Sequence, residues 1–110
     1  MIRESHEIQH GLALVLKLKS AMTAAGLWSV QPPTAEALAS QQPFACDTLS
    51  FAQWLQFIFI PRLDALLKSG DRVPPMSVLP MAQVSWANAH PNVQAVLAEF
   101  DDWSDTVHDQ

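Results

Sequence analysis

The sequence predicts an all-α single domain of three long helices and two short ones, and three observations support this prediction. Apolar residues recur at helical spacing over long stretches, and prolines mark the connections between these stretches. With three glycines and no tyrosine, the chain lacks the turn-rich composition of a β-sandwich. Because 110 residues suit a single hydrophobic core, residues 1–110 are expected to form one domain.

The chain is short of charge. Apolar residues make up 49% of it and charged residues 15%, against about 25% in ordinary soluble domains. Mean hydropathy is +0.09, yet no apolar run approaches the roughly 18 residues of a membrane span. Six basic and eleven acidic residues give a net charge of −5 without a basic stripe, which predicts no direct binding of nucleic acid.

The cellular location is predicted from the N-terminus and from the cysteine content. Residues 12–25 weakly resemble a signal peptide, but Lys17 and Lys19 interrupt the apolar stretch. The single cysteine, Cys46, excludes an intrachain disulfide and is expected to be a small buried side chain. We therefore expect a cytoplasmic protein without membrane contact.

The first long helix is predicted over residues 3–25, where six apolar residues recur along one face. They are Ile8, Leu12, Val15, Leu18, Met22 and Ala25. Gly26 is suited to end this helix because glycine adopts the left-handed conformation at little cost. A short helix follows over residues 34–39, with Thr34 as its N-cap.

The central helix has the strongest signal in the sequence. Ser50 and Gln53 have the spacing of a capping box, which marks its beginning. Residues 54–60 are apolar on nearly every face, so this part is expected to be buried all round. A strand over residues 57–60 is the alternative, but the flanking helical period favours one long helix, and Pro61 should kink it.

Two further helices are predicted before the C-terminus. Pro80 suits the first position of a short helix that extends to Asn88, and Pro91 begins the last helix. The apolar stripe of this last helix consists of Val93, Val96, Leu97, Phe100, Trp103 and Val107.

Residues 6–10 read His-Glu-Ile-Gln-His, the H-E-x-x-H pattern of zinc metallopeptidases, in which two histidines bind zinc and the glutamate acts as general base. A third ligand six residues later would complete the extended form, but that position is Leu16. His6 and His10 also lie away from the apolar stripe. The metallopeptidase is therefore the least favoured hypothesis, and no cofactor or metal is predicted.

Other polar residues near the central helix have two interpretations each. Asp47 and Thr48 either point into a pocket or bond the free N–H groups at the start of the helix. Arg62 either binds an anion or pairs with Asp47 or Asp64. The four tryptophans are spread one to a segment, which is typical of core anchors, although Trp54 with Gln53 and Gln56 can also line a cavity.

The segment from Gln42 to Leu67 resembles the signature of the YqcC-like family of small bacterial proteins. The motif positions are Phe44, Asp47, Thr48, Trp54, Gln56, Pro61 and Arg62. The resemblance implies a four-helix bundle-like domain of unknown function without established catalytic residues. It also implies a genomic link to tRNA pseudouridine synthase C, in which this chain would be an accessory.

Three functional hypotheses follow. The leading one is a non-enzymatic helical domain that binds another protein or itself, in the context of tRNA modification, through a surface that includes Phe44, Asp47, Thr48, Trp54, Gln56 and Arg62. The second is a small-molecule-binding domain with a pocket near the Pro61 kink, formed by Asp47, Gln56 and Arg62. The third is the metallopeptidase. The oligomeric state is left open by the sequence, since an apolar-rich chain can form a symmetric dimer.

Overall fold

The structure is a computed structural model that describes residues 5–71 and 73–108, and the side chains of residues 7–71 and 73–106. In chain order the elements are α1 (Ser5–Ala24), α2 (Ala35–Leu38), a 3₁₀ turn (Pro43–Ala45), α3 (Phe51–Trp54), a π turn (Leu55–Phe59), α4 (Ile60–Ser69), α5 (Leu79–Trp86) and α6 (Pro91–His108). The continuous run of α3, the π turn and α4 is the central helix, residues 51–69. The predicted all-α, bundle-like class is confirmed, and the described residues contain no strand.

The bundle is built from α1, the central helix and α6, with α5 packed beside them. Two contacts show that α1 and α6 run antiparallel. Lys17 Nζ lies 2.9 Å from Glu99 Oε2, and Trp103 Nε1 donates a hydrogen bond of 3.3 Å to the carbonyl of Glu7. The overall extents are 38 × 29 × 23 Å. None of the helices in the described parts of the chain is long and apolar enough to cross a membrane.

The apolar stripes predicted for α1 and α6 form the core. On α6 the predicted residues are buried, except Val107, whose side chain lies outside the described residues. On α1, Val15, Leu18 and Met22 are buried, and Ile8 and Leu12 pack half-buried against the core. The prediction for Ala25 is wrong, because this residue follows the last turn of α1 and is exposed.

Gly11 allows α1 to approach its neighbours closely. A methyl group at this position would lie 2.7 Å from Trp103 Cζ2 and 2.8 Å from Leu67 Cδ2, well inside van der Waals contact. The absence of a side chain at residue 11 therefore sets how near α1 lies to both α4 and α6.

Three predicted helix ends are confirmed, whereas α5 ends at Trp86 instead of the predicted Asn88. Gly26 has φ 74°, and the N–H of Leu27 bonds to the carbonyl of Met22, as in a Schellman motif. Thr34 caps α2 by accepting from the N–H of Ala37. The two side chains of the predicted capping box bond each other's backbone N–H groups at the start of α3.

The predicted disruption at Pro61 takes the form of the π turn. Ile60 donates its N–H to the carbonyl of Leu55, five residues back instead of four. Proline has no N–H, and in an α-helix its ring clashes with the carbonyl four residues earlier, here that of Phe57. The wider turn gives this ring room, so the helix continues past Pro61.

The π turn also keeps the apolar residues of the central helix on one face. Phe51, Leu55, Phe59, Leu63 and Leu67 are buried and spaced four residues apart. In an α-helix four residues rotate by about 400°, so a strict spacing of four drifts by roughly 160° over these positions. One additional residue in a turn compensates about 100° of this drift.

The prediction that residues 54–60 are buried all round is wrong in part. Leu55, Gln56, Phe59 and Ile60 are buried, whereas Trp54, Phe57 and Ile58 are half-buried. Phe57 lies two residues from both Leu55 and Phe59, which places it on the opposite face of the helix. The apolar excess of this segment is therefore partly at the surface.

Side chains of α6 fix the beginning of α5. The carboxylate of Asp101 accepts from the N–H groups of Val78 (2.8 Å) and Leu79 (3.0 Å). The hydroxyl of Ser104, which is fully buried, accepts from the N–H of Met76 at 2.9 Å. The segment that leads into α5 thus receives its hydrogen bonds from the neighbouring helix.

Candidate functional site

The predicted surface residues lie on two parts of the fold. Phe44, Asp47 and Thr48 belong to the loop between α2 and the central helix, while Trp54, Gln56 and Arg62 lie on the central helix itself. The ring of Phe44 packs edge-on against Trp54 with centroids 4.8 Å apart, which joins the two parts.

Asp47 and Thr48 connect their loop to α2. Asp47 accepts a short hydrogen bond from the hydroxyl of Ser40, and Thr48 Oγ1 donates to the carbonyl of Ala37 at 2.7 Å. Both residues are exposed. These bonds correspond to neither interpretation from the sequence, because the two side chains bond the α2 region instead of a pocket or the start of the central helix.

Gln56 is a buried amide, with 8% of its surface exposed, that bonds the backbone of Ser29 in both directions. Its Oε1 accepts from the Ser29 N–H and its Nε2 donates to the Ser29 carbonyl, each at 2.8 Å. Both polar atoms of the amide therefore hold the connection between α1 and α2 against the central helix.

Arg62 is exposed and forms no ion pair with any residue that the structure describes. The expected pairing with Asp47 or Asp64 is wrong, because Asp47 bonds Ser40 and Asp64 lies 2.9 Å from Lys68 Nζ. Neither of the two concavities described below contains Asp47, Gln56 or Arg62. Neither of these two concavities is therefore the pocket expected near Pro61.

A concave surface of about 330 Å³ lies between the loop before the central helix and α5. We call it the aromatic concavity, and its lining consists of Phe44, Cys46, Leu49, Ser50, Phe51, Met81, Ser85 and Trp86. No Asp, Glu, Lys or Arg is among these residues. A second concavity of about 380 Å³, lined by Gln83, Ala87, Asn88, Pro91 and Gln94, lies at the turn between α5 and α6.

Aromatic rings connect the walls of the aromatic concavity. Phe51 packs edge-on against Trp86 of α5 with centroids 5.1 Å apart, and it stacks on Trp54 at 5.8 Å. Trp86 in turn contacts the ring of His90 at 5.0 Å. Pairs in this geometry contribute about 0.5–1.5 kcal/mol each beyond their buried area, so the walls are held together by ring packing.

Strained backbone borders the aromatic concavity on both sides. The described non-glycine residues with positive φ are Phe44 (57°), Ala45 (50°), Ala87 (52°) and His90 (54°). Phe44 lines the aromatic concavity, while Ala87 directly follows Trp86 and lines the second concavity. Such conformations cost about 1–3 kcal/mol each and concentrate at functional positions, which favours this surface as the candidate site.

The polar groups of the aromatic concavity are two hydroxyls and one thiol. The expectation that Cys46 is buried is wrong: the side chain is exposed, because it follows the left-handed turn at Phe44 and Ala45 and lies at the concavity's edge. Ser50 Oγ already accepts from the N–H of Gln53, while Ser85 lies exposed on α5. This lining suits the binding of an apolar group.

The H-E-x-x-H pattern lies in the first turns of α1. His10 is exposed together with Ala13 and Lys17, as expected, whereas the side chain of His6 lies outside the described residues. Among the described residues, no group of three His, Cys, Asp or Glu side chains is close enough to hold a metal ion.

Sequence reasoning identified one wall of this surface and missed the other. Phe44 was among the predicted residues, but Met81, Ser85 and Trp86 were not. A signal for them existed, since residues 73–98 contain no Asp, Glu, Lys or Arg. This stretch comprises the connection before α5, α5 itself and the first half of α6.

Comparison with known proteins identifies relatives in bacteria. The model of the family DUF446, described as "tRNA pseudouridine synthase C", matches residues 11–105. A Haemophilus influenzae "Uncharacterized protein" is 48% identical over 58 residues, which are 53% of this chain and 55% of that protein. A Pectobacterium carotovorum protein named "tRNA pseudouridine synthase C" is 40% identical over 57 residues, which are 52% of this chain and 15% of that protein.

The Escherichia coli "Uncharacterized protein YqcC" is similar in both sequence and structure. It is 33% identical over 75 residues, covering 67% of this chain and 69% of that protein. Its solution NMR structure superposes with a TM-score of 0.75 at 26% identity, covering 94% of this chain and 89% of that one. The matched parts thus span about half of the Haemophilus relative, a small part of the Pectobacterium relative and most of YqcC.

Proposed function

The chain belongs to the DUF446, or YqcC-like, family, and from this we propose that it is a non-catalytic helical domain that binds a tRNA pseudouridine synthase C. The observation that most supports the proposal is the match to the Pectobacterium protein of that name. The matching 57 residues are only 15% of that protein, so a segment similar to this chain occurs inside a much longer polypeptide. Joining two modules in one chain raises their effective concentration to about millimolar, which benefits modules that bind each other.

The chemistry of the aromatic concavity supports a binding role. Its described lining has one titratable side chain, the Cys46 thiol, and no Asp, Glu, His, Lys or Arg among the other lining residues. General acid–base or nucleophilic catalysis needs such a neighbour within hydrogen-bond reach. The lining instead offers aromatic and thioether surfaces, which are enriched where proteins bind proteins.

The charge of the chain favours an enzyme as partner over the RNA itself. A net charge of −5 without a basic stripe repels a phosphate backbone. An enzyme that binds tRNA must present positive surface, and a negative accessory domain is attracted to such an enzyme at long range. We place this function in the cytoplasm, where tRNA is modified in bacteria.

The proposal is tested with the purified chain and tRNA pseudouridine synthase C from the same bacterium. We expect a complex of one chain with one synthase by size-exclusion chromatography with light scattering, with a Kd of about 10 µM or tighter by calorimetry, or about −7 kcal/mol. The chain alone should form no pseudouridine in tRNA, and its addition should change the rate of the synthase.

A different pseudouridine synthase from the same cell serves as control and should not bind. The proposal is wrong if no complex forms with the named synthase when both proteins are present at about 100 µM, ten times the expected Kd. A homodimer of the chain without affinity for the synthase would indicate self-association instead.

A further inference from the structure

Charge is distributed very unevenly along the chain. Residues 20–61 and 73–98 contain only two charged side chains, Glu36 and Asp47. All other Asp, Glu, Lys and Arg residues lie within residues 3–19, within residues 62–72, or in the sequence from Glu99 onward.

The fold brings parts of these uncharged segments together at one end of the bundle. Because α1 and α6 are antiparallel, the C-terminus of α1 lies beside the N-terminus of α6. Gly11 faces Leu67, so the end of the central helix lies beside the beginning of α1, and its start at Phe51 lies at the opposite end. The contact between Phe51 and Trp86 brings the end of α5 to this same place. We call it the neutral end.

The aromatic concavity opens at the neutral end. Phe44, Met81 and Trp86 in its lining are half-buried, and Val84, three residues after Met81 on the same side of α5, is 80% exposed. A volume of about 330 Å³ is at the low end of the range of roughly 300–1,000 Å³ for small-molecule sites. This space suits one or two apolar side chains.

We propose that the aromatic concavity is the docking site for a large apolar side chain on an uncharged surface segment of tRNA pseudouridine synthase C, an inference that rests on the proposed function. The aromatic concavity suits such a side chain in both charge and shape. An acidic segment, a nucleotide or an RNA strand would be desolvated at the aromatic concavity without a Lys or Arg in the lining to compensate its charge. An apolar side chain loses no such solvation and covers the half-buried rings of Phe44 and Trp86.

The backbone of the aromatic concavity supports the same inference. The residues on its two borders, Phe44 and Ala87, keep a conformation that costs free energy in the unbound chain. Ring contacts with Trp54 and Phe51 hold Phe44 in this place. A surface whose shape is fixed before binding loses little conformational entropy when a partner docks.

The single cysteine makes the inference measurable. Cys46 is exposed at the edge of the aromatic concavity, so its reaction rate with a maleimide reports whether this surface is covered. We expect a saturating amount of tRNA pseudouridine synthase C to slow this reaction at least tenfold. The wild-type chain is used throughout this measurement.

A second measurement uses Val84→Asp, which places an unpaired carboxylate on the exposed turn of α5 that carries Met81 and Ser85 of the lining. Because Val84 is exposed, the substitution should leave the fold intact, and the Kd for the synthase should rise at least tenfold. Leu16→Asp is the matched control. Leu16 is 65% exposed on α1, away from the aromatic concavity, so this variant should bind like the wild type.

The outcomes separate the two proposals. If a complex forms but Cys46 reacts at an unchanged rate and Val84→Asp binds like Leu16→Asp, the docking site is wrong and the proposed function stands. If no complex forms, both are wrong. If raising the concentration of the chain alone protects Cys46, a second copy covers the surface and the inference is overturned.

Discussion

Gln56 illustrates how a single polar side chain is accommodated on a largely apolar helix. Its amide mimics a strand partner for Ser29, because it accepts from the N–H and donates to the carbonyl of the same residue. Ser29 is half-buried in the connection between α1 and α2. Gln56 is therefore a structural member of the predicted surface set, with both polar atoms already bonded.

Replacing Gln56 by leucine should destabilise the fold by about 2 kcal/mol, since the N–H and carbonyl of Ser29 lose their partners while the apolar volume is kept. The midpoint of urea unfolding should fall without a change in its slope. Gln9→Leu, at an exposed position of α1, is the control and should change stability by no more than about 0.5 kcal/mol. Equal midpoints for the two variants would mean that Ser29 finds water or another partner.

Among the elements, α5 depends most on side chains from a neighbour. It has eight residues, and no side chain of its own sequence caps its beginning. An isolated helix of this length is unstable in water. Asp101 of α6 supplies the acceptors for the N–H groups of Val78 and Leu79, so the formation of α5 depends on its contact with α6.

Asp101→Ala should therefore release the start of α5 and lower the free energy of unfolding by about 2–3 kcal/mol, because two hydrogen bonds to a charged group are lost. Hydrogen exchange should accelerate most at the amides of residues 78–86. The control is Asp102→Ala at the adjacent exposed position, whose carboxylate makes no bond with the described residues. The same exchange rates in both variants would contradict the role given to Asp101.

The elements also show which features a sequence can reveal. Helix ends at Gly26, Thr34 and Ser50 were predictable because the groups that satisfy them lie within a few residues of each other. The left-handed turn at Phe44 and Ala45 was not, because both residue types disfavour it and only contacts from other elements stabilise it. Proline chemistry predicted a disruption of the helix at Pro61, but its form as a π turn depends on the register of the whole central helix.

Only one side of the candidate surface could be predicted, because the two sides are far apart in the sequence. The signature between Gln42 and Leu67 pointed to Phe44, while Trp86 reaches Phe51 from 35 residues away along the chain. Local periodicity carries no information about such a pairing. The uncharged run of residues 73–98 was the available signal. It indicated a surface only once the fold showed that part of it lies beside the weakly charged segment of residues 20–61.

At the scale of the whole molecule, stability depends on the contact of the first long helix with the last. Gly11 on α1 lies against the indole of Trp103, which is 4% exposed and is held by its bond to the Glu7 carbonyl. Leu67 of α4 closes the other side. Neither neighbour can withdraw without opening the core.

Gly11→Ala is accordingly expected to destabilise the protein by about 1–2 kcal/mol. Alanine gains about 1 kcal/mol of helix propensity over glycine, but overpacking a tight core costs about 1–3 kcal/mol, and here the added methyl meets two neighbours below 3 Å. Ser20→Ala, at an exposed position of the same helix, should stabilise slightly. If thermal unfolding shows Gly11→Ala to be as stable as the wild type, α1 does not lie this close to α6.

The pairing of α1 with α6 has a consequence for synthesis on the ribosome. Glu7 and Trp103 are 96 residues apart in the chain, so α1 is complete long before its partner helix exists. At about 5–20 residues per second, the interval between the end of α1 and the appearance of Trp103 is roughly 4–16 s. During this time Val15, Leu18 and Met22 lack the side of the core that α6 provides. The nascent chain, more than the finished domain, is then the form that needs a chaperone and is most exposed to aggregation.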